Sequence, residues 1–209
     1  MTVDDFLRLR DPRSRRDFFR LAGLTTVGGS AAFLAACGGD DEDETTAQSG
    51  GNEDTGGGEG DAKILNGALD LENTAIAAYT AGAALLKGDA LAVGKQFLGH
   101  EQEHADGITQ AIKDLGGTPN KAKSADEYAQ GFPSLKSQKD VINFAIDLEN
   151  MAVAAYIDAI PKLTSGQLRQ TGAAIVSNEA EHVSVLLGAL RPSDAARQVP
   201  DAFVTGKKA

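Results

Sequence analysis

The chain has 209 residues, a formal net charge of −10, one Cys, no Trp and few aromatics. That length holds one ordinary domain and some tails; the charge argues against nucleic acid as a partner, because phosphate binding needs clustered Lys and Arg. A single thiol excludes an intrachain disulfide and a thiolate metal cluster, and richness in Ala, Gly and Leu suits close-packed helices better than a β-sandwich.

Residues 1–36 have the layout of an export signal. A charged region with the paired Arg15 and Arg16 leads into a mildly apolar run, Leu21–Ala36, interrupted by Gly, Thr and Ser. The run is too short and too polar for a membrane span, which needs about 20 apolar residues. The stretch SRRDFFR, with Ser14, Arg15, Arg16, Phe18 and Phe19, resembles the twin-arginine signal. The run ends in Leu34-Ala35-Ala36-Cys37, which resembles the lipobox of bacterial lipoproteins. Together these resemblances imply passage through the twin-arginine export machinery and cleavage before Cys37. They also imply a lipid on Cys37 that anchors the protein to the outer face of the cytoplasmic membrane or cell envelope. The plainer alternatives are a basic tail before an amphipathic helix and an incidental thiol.

Residues 37–61 are rich in Gly, Asp and Glu and lack Lys and Arg. Nothing there buries apolar surface, so the expectation is a disordered spacer.

From 62 to 191 the apolar residues recur every three or four positions, which predicts four helices. The first, 62–86, carries Leu65, Leu69, Ala75, Ile76, Tyr79 and Leu86 on one stripe. The second, 90–115, carries Phe97, Ala105, Ile108, Ile112 and Leu115, and LGGTP stops it. The third, 138–162, carries Ile142, Ile146, Val153, Tyr156 and Ile160. The fourth, 165–190, carries Ile175, Val176, Val183, Leu186, Leu187 and Leu190; Thr164 or Ser165 caps it and Pro192 closes it. Short links place the helices in two antiparallel pairs, and residues 116–137 form a long crossover. The expected fold is all-α, a four-helix bundle with one crossover between the second and third helices. Residues 192–209 read as an irregular tail, with Phe203 the candidate to dock it.

The helices repeat. DLEN-x-A-x-AAY occurs at Asp70–Tyr79 and at Asp147–Tyr156, an offset of 77, and Glu-x-x-His occurs at Glu101–His104 and Glu179–His182, an offset of 78. Two features at nearly one offset mark a doubled helix pair. Acid interrupts each stripe. Glu72 lies in line with Leu65, Ile76 and Tyr79, and Glu149 in line with Ile142, Val153 and Tyr156. Residues three apart project on one side of a helix, so each Glu-x-x-His pair can reach one point. Burying four unpaired carboxylates is prohibitive. Two divalent cations would cancel four negative charges, and the imidazoles would add nitrogen donors. The competing expectation is a metal-free bundle whose Glu and His are exposed or paired. Glu103 and Glu181 fall off the stripe and read as solvated, and His100 reads as surface, with metal entry as its other reading. Tyr79 and Tyr156, two turns beyond Glu72 and Glu149, read as core with a satisfied hydroxyl, or as donors to a ligand carboxylate or electron carriers. Asp70, Asp147, Asn73 and Asn150 are left open between helix surface and support of the ligands.

One Glu from each of two helices, with Glu-x-x-His from each of the other two, resembles the dimetal-carboxylate site of the ferritin-like superfamily. The resemblance covers about 62–190 and is to the bacterioferritin and rubrerythrin lineage, nearer still to exported ferritin-like domain proteins. It implies Glu72 and Glu149 as terminal ligands, Glu101 and Glu179 as bridges, and His104 and His182 capping one metal each. It implies two metal ions, iron first and manganese as the alternative. The implied activity is Fe(II) oxidation by oxygen or peroxide, a ferroxidase- or peroxidase-type oxidoreductase in envelope oxidative-stress protection. The electron donor is unknown, since no rubredoxin-like Cys set is present, and a homodimer stays open. From another class, the bundle could be a non-catalytic binding or scaffold module with structural metal or none. A substrate oxygenase would need an apolar pocket.

Overall fold

The computed structural model describes residues 55–199 and 202–206. The twin-arginine stretch with Arg15 and Arg16, the Cys37 motif and the spacer up to residue 54 lie outside the described residues. Among the described residues there are helices and no strand, and no helix is long and apolar enough to cross a membrane.

Helix α1, Thr55–Gly82, ends in a 3-10 turn, Ala83–Leu85. Helix α2, Gly88–Asp114, follows directly, and Gly88 supplies the positive φ of 55° that the tight link needs. The crossover holds one short helix, α3, Ala125–Ala129. Helix α4, Gln138–Ala159, runs into a 3-10 turn, Ile160–Lys162, and α5 spans Gly166–Leu190. Helix α1 packs mainly on α2 and α4 on α5, and the pairs meet chiefly through α1 against α4. Gly82 allows that approach: a Cβ there would lie 2.6 Å from Val141 Cγ1.

Local chemistry sets the helix ends. The hydroxyls of Ser137 and Ser165 accept from Asp140 N and Leu168 N, so Ser165 rather than Thr164 caps α5. Helix α2 stops where Gly116 takes φ 75° and Gly117 N donates back to Ile112 O. The crossover is fastened to α1: Asn66 Oδ1 accepts from Asn120 N, and Asn120 Nδ2 donates to Asp70 Oδ2. Asp70 is therefore a clamp for the crossover. Ser124 and Glu127 form a reciprocal cap on α3, whose buried Tyr128 accepts from Lys123 N.

Two expectations are corrected. Helix α1 begins at Thr55 rather than at residue 62. Asp61, counted as spacer, is buried and accepts from Thr164 N, Thr164 Oγ1 and Ser165 N. That carboxylate gives the extra helical turns a reason to form. In the tail, Phe203 is 85% exposed and docks nothing. Gly206 makes the close approach instead: a Cβ there would clash with Asn150 O on α4.

The core falls into two apolar clusters. One gathers Leu65, Leu69, Ile108, Ile112, Tyr156 and Ile175; the other gathers Tyr79, Leu86, Phe97, Val141, Ile142 and Leu186. Every long helix contributes to both, and on each the Glu or Glu-x-x-His lies between its two contributions.

Candidate metal centre

The antiparallel register brings all six predicted donors to the middle of the bundle. Glu72, Glu101, Glu149, Glu179 and His182 are each at most 1% exposed. His104 is 13% exposed and forms the rim.

The donors interlock as two sets. His104 Nδ1 faces Glu179 Oε1 at 3.0 Å, Glu72 Oε2 at 3.6 Å and Glu101 Oε2 at 3.7 Å. His182 Nδ1 faces Glu101 Oε1 at 3.2 Å, Glu179 Oε2 at 3.3 Å and Glu149 Oε1 at 3.4 Å. Glu101 and Glu179 thus turn one oxygen to each imidazole, while Glu72 and Glu149 each serve one. Within each set of four residues, one donor atom apiece lies within 4.8 Å of the others.

Closeness is not hydrogen bonding here. Glu101 Oε1, both oxygens of Glu179, His104 Nδ1 and His182 Nδ1 are buried without an aligned partner. Buried polar atoms are ordinarily paired, and an orphan costs roughly 1–3 kcal/mol. Mixed oxygen and nitrogen donors, orphaned and converging, fit a pair of divalent transition-metal ions.

Burial and mutual contact shift the ionisation of all six donors. Burial raises Glu72 to about 8, reinforced by Glu101 and Glu179 and opposed by His104. Burial likewise holds Glu149 well above the carboxylate range against His182. Burial opposes ionisation of Glu179, but His104, His182 and Glu149 hold it down to about 2. Glu101 is lowered too, its two imidazole neighbours outweighing burial. Burial would lower both histidines; the carboxylates outweigh it and carry His104 to about 12 and His182 to about 11.

The tyrosines hold the outer glutamates crosswise. Tyr79 of α1 donates to Glu149 Oε1 of α4, and Tyr156 of α4 donates to Glu72 Oε1 of α1. Both hydroxyls are raised by burial and by the carboxylate each one meets.

The surface reading of His100 is corrected. Its ring is half-buried, with Nδ1 2.9 Å from His182 Nε2. A histidine one step before the first Glu-x-x-His, where the second copy has Asn178, is the only signal in the sequence. Glu103 and Glu181 face solvent, as their position off the stripe implies. Asn150 bonds its own helix at Ile146 O.

The family model for the ferritin-like domain matches residues 60–192. Among solved structures the chain is similar to a conserved hypothetical protein from Mycobacterium tuberculosis, at 18% identity and TM-score 0.56, covering 62% of this chain and 96% of that one. It is also similar to a ferritin-like, diiron-carboxylate protein from Bacillus anthracis, at 22% identity and TM-score 0.53, covering 62% of this chain and 94% of that one. At such identities the likeness is one of fold. No curated protein matches the chain.

Proposed function

This chain belongs to the ferritin-like domain family, and from that premise we propose that its bundle holds two metal ions, iron before manganese, and carries out redox chemistry of Fe(II) with oxygen or peroxide. We place that activity at the cell envelope, reached by twin-arginine export and held there by a lipid on Cys37. The metal reading is carried by the five orphaned donor atoms at the meeting point of four helices. Glu72, Glu101, His104 and Glu179 would hold one ion, and Glu101, Glu149, Glu179 and His182 the other. The diiron-carboxylate description of the Bacillus anthracis neighbour supports iron. The envelope reading rests on the Arg15, Arg16 and Leu34–Cys37 motifs.

When bound, such a pair supplies redox chemistry toward oxygen or peroxide. The chain supplies position and exclusion. Tyr79 and Tyr156 pin the outer carboxylates, and the two apolar clusters keep bulk water out on either side. A cavity of about 30 Å³ between α1 and α4 reaches Glu72, Glu101 and Glu149, walled by Leu71, Ala75, Leu148 and Ala152. One water needs roughly 10–15 Å³, so this space suits dioxygen or hydrogen peroxide and shuts out an organic substrate. An apolar cleft of about 310 Å³ at one end of the bundle touches Tyr79 but none of the six donors. A small oxidant is therefore favoured over a substrate oxygenase.

The test is Fe(II) oxidation by the anaerobically loaded chain on mixing with oxygen or hydrogen peroxide. The expected rate is at least about tenfold that of free Fe(II) in the same buffer, a barrier lowered by roughly 1.4 kcal/mol. A rate equal to that of free Fe(II) overturns the redox reading and leaves a structural site.

A further inference from the structure

The two halves of the centre share their sequence pattern but not their surroundings. His182 is held from two directions. The Phe97 ring stacks on it, with centroids 3.8 Å apart and planes 24° apart. Behind it, His100 Nδ1 lies 2.9 Å from Nε2, with the imidazole planes 12° apart. Its Nδ1 is thereby presented to Glu101, Glu149 and Glu179. His104 has no such support. It is 13% exposed, and among the described residues nothing hydrogen-bonds it from behind. The residue matching His100 in the second copy is Asn178, whose amide donates to Glu181 instead.

From this asymmetry we infer that His100 is a positioning residue that fixes His182 as an Nδ1 ligand and makes the His182 position the tighter of two unequal metal positions. The inference rests on the dimetal reading. A nitrogen that binds a metal carries no proton, so a neutral imidazole ligating through Nδ1 keeps its proton on Nε2. That Nε2–H points at His100, which accepts through Nδ1 and carries its own proton on Nε2. A partner of this kind sets both the tautomer and the ring angle of a ligand, and losing it costs roughly 10–100-fold in metal affinity. The His104 ring lacks such a partner, which leaves its position the weaker of the two.

The test is an anaerobic Co(II) titration of the full chain, followed by visible absorption and calorimetry. Wild type is expected to bind in a tight step and a weaker one. His100→Phe keeps an aromatic ring but removes the acceptor; the tight step should weaken roughly 10–100-fold while the weaker one stays. His100→Gln, whose amide oxygen accepts, should recover most of the loss. Two equal steps in wild type, or a His100→Phe titration matching wild type, overturns the inference and leaves the dimetal reading intact. Absence of any Co(II) uptake by wild type overturns both. Long-range ¹H–¹⁵N spectra of the Zn(II)-loaded wild-type chain decide independently of how the variants fold. A proton on His182 Nε2 facing an unprotonated His100 Nδ1 supports the inference, and a proton on His182 Nδ1 or on His100 Nδ1 overturns it.

Discussion

Each tyrosine at the centre serves the glutamate of the other repeat. Tyr79 donates to Glu149 and Tyr156 to Glu72, so α1 and α4 are stitched together twice through the groups that would hold the ions. Tyr79→Phe removes a donor while keeping the ring that packs edge-on against Phe97. We expect Tyr79→Phe and Tyr156→Phe each to lower metal affinity roughly tenfold with little change in fold, read by metal titration and circular dichroism. Unchanged affinity in both would show that the carboxylates need no outside support. The six donors were legible because three-residue spacing and apolar neighbours place them on buried stripes without any knowledge of the partner helices. The crossed tyrosine pairing was not. Spacing along one helix cannot say which neighbouring helix a hydroxyl meets. His100 escaped for the same reason: its partner stands 82 residues away on α5.

Helix ends are legible where a single residue type dictates them. Gly116 and Gly117 stop α2, and Ser165, one of the two expected caps, starts α5. The start of α1 at Thr55 is not legible in the sequence. Residues 56–60 are mostly Gly, a poor helix former, so neither propensity nor periodicity marks a helix there. What holds that turn is tertiary: buried Asp61 accepts three hydrogen bonds from the link between α4 and α5. Hydrogen bonds to a charged group are worth about 1.5–3 kcal/mol, and removing this acceptor orphans two backbone N–H groups. Asp61→Ala is therefore expected to destabilise by about 2–3 kcal/mol, seen as a loss of roughly 5–10 °C in Tm. A Tm within about 1 °C of wild type would mean that this link is not part of the cooperative unit.

Across the whole molecule, duplication explains why a polar centre survives inside a small bundle. Two helix pairs with one pattern, joined by a long crossover, put four acids and two imidazoles at one level, with an apolar cluster on either side. The proposed export and anchoring rest on the N-terminal motifs alone. Replacing Arg15 and Arg16 by Lys is expected to leave the chain in the cytoplasm, and Cys37→Ala to release the exported domain from the membrane fraction. Fractionation with immunoblotting reads both, and membrane association that survives both changes contradicts the export and tether reading.

The most direct measurement is the metal content of the purified chain by elemental analysis, beside a Glu101→Ala/His182→Ala variant. The dimetal centre predicts about two Fe or Mn per wild-type chain and a loss of both in the variant, since Glu101 is common to the two sets. A folded wild-type chain that is metal-free and takes up no added Fe(II) or Mn(II) would contradict it.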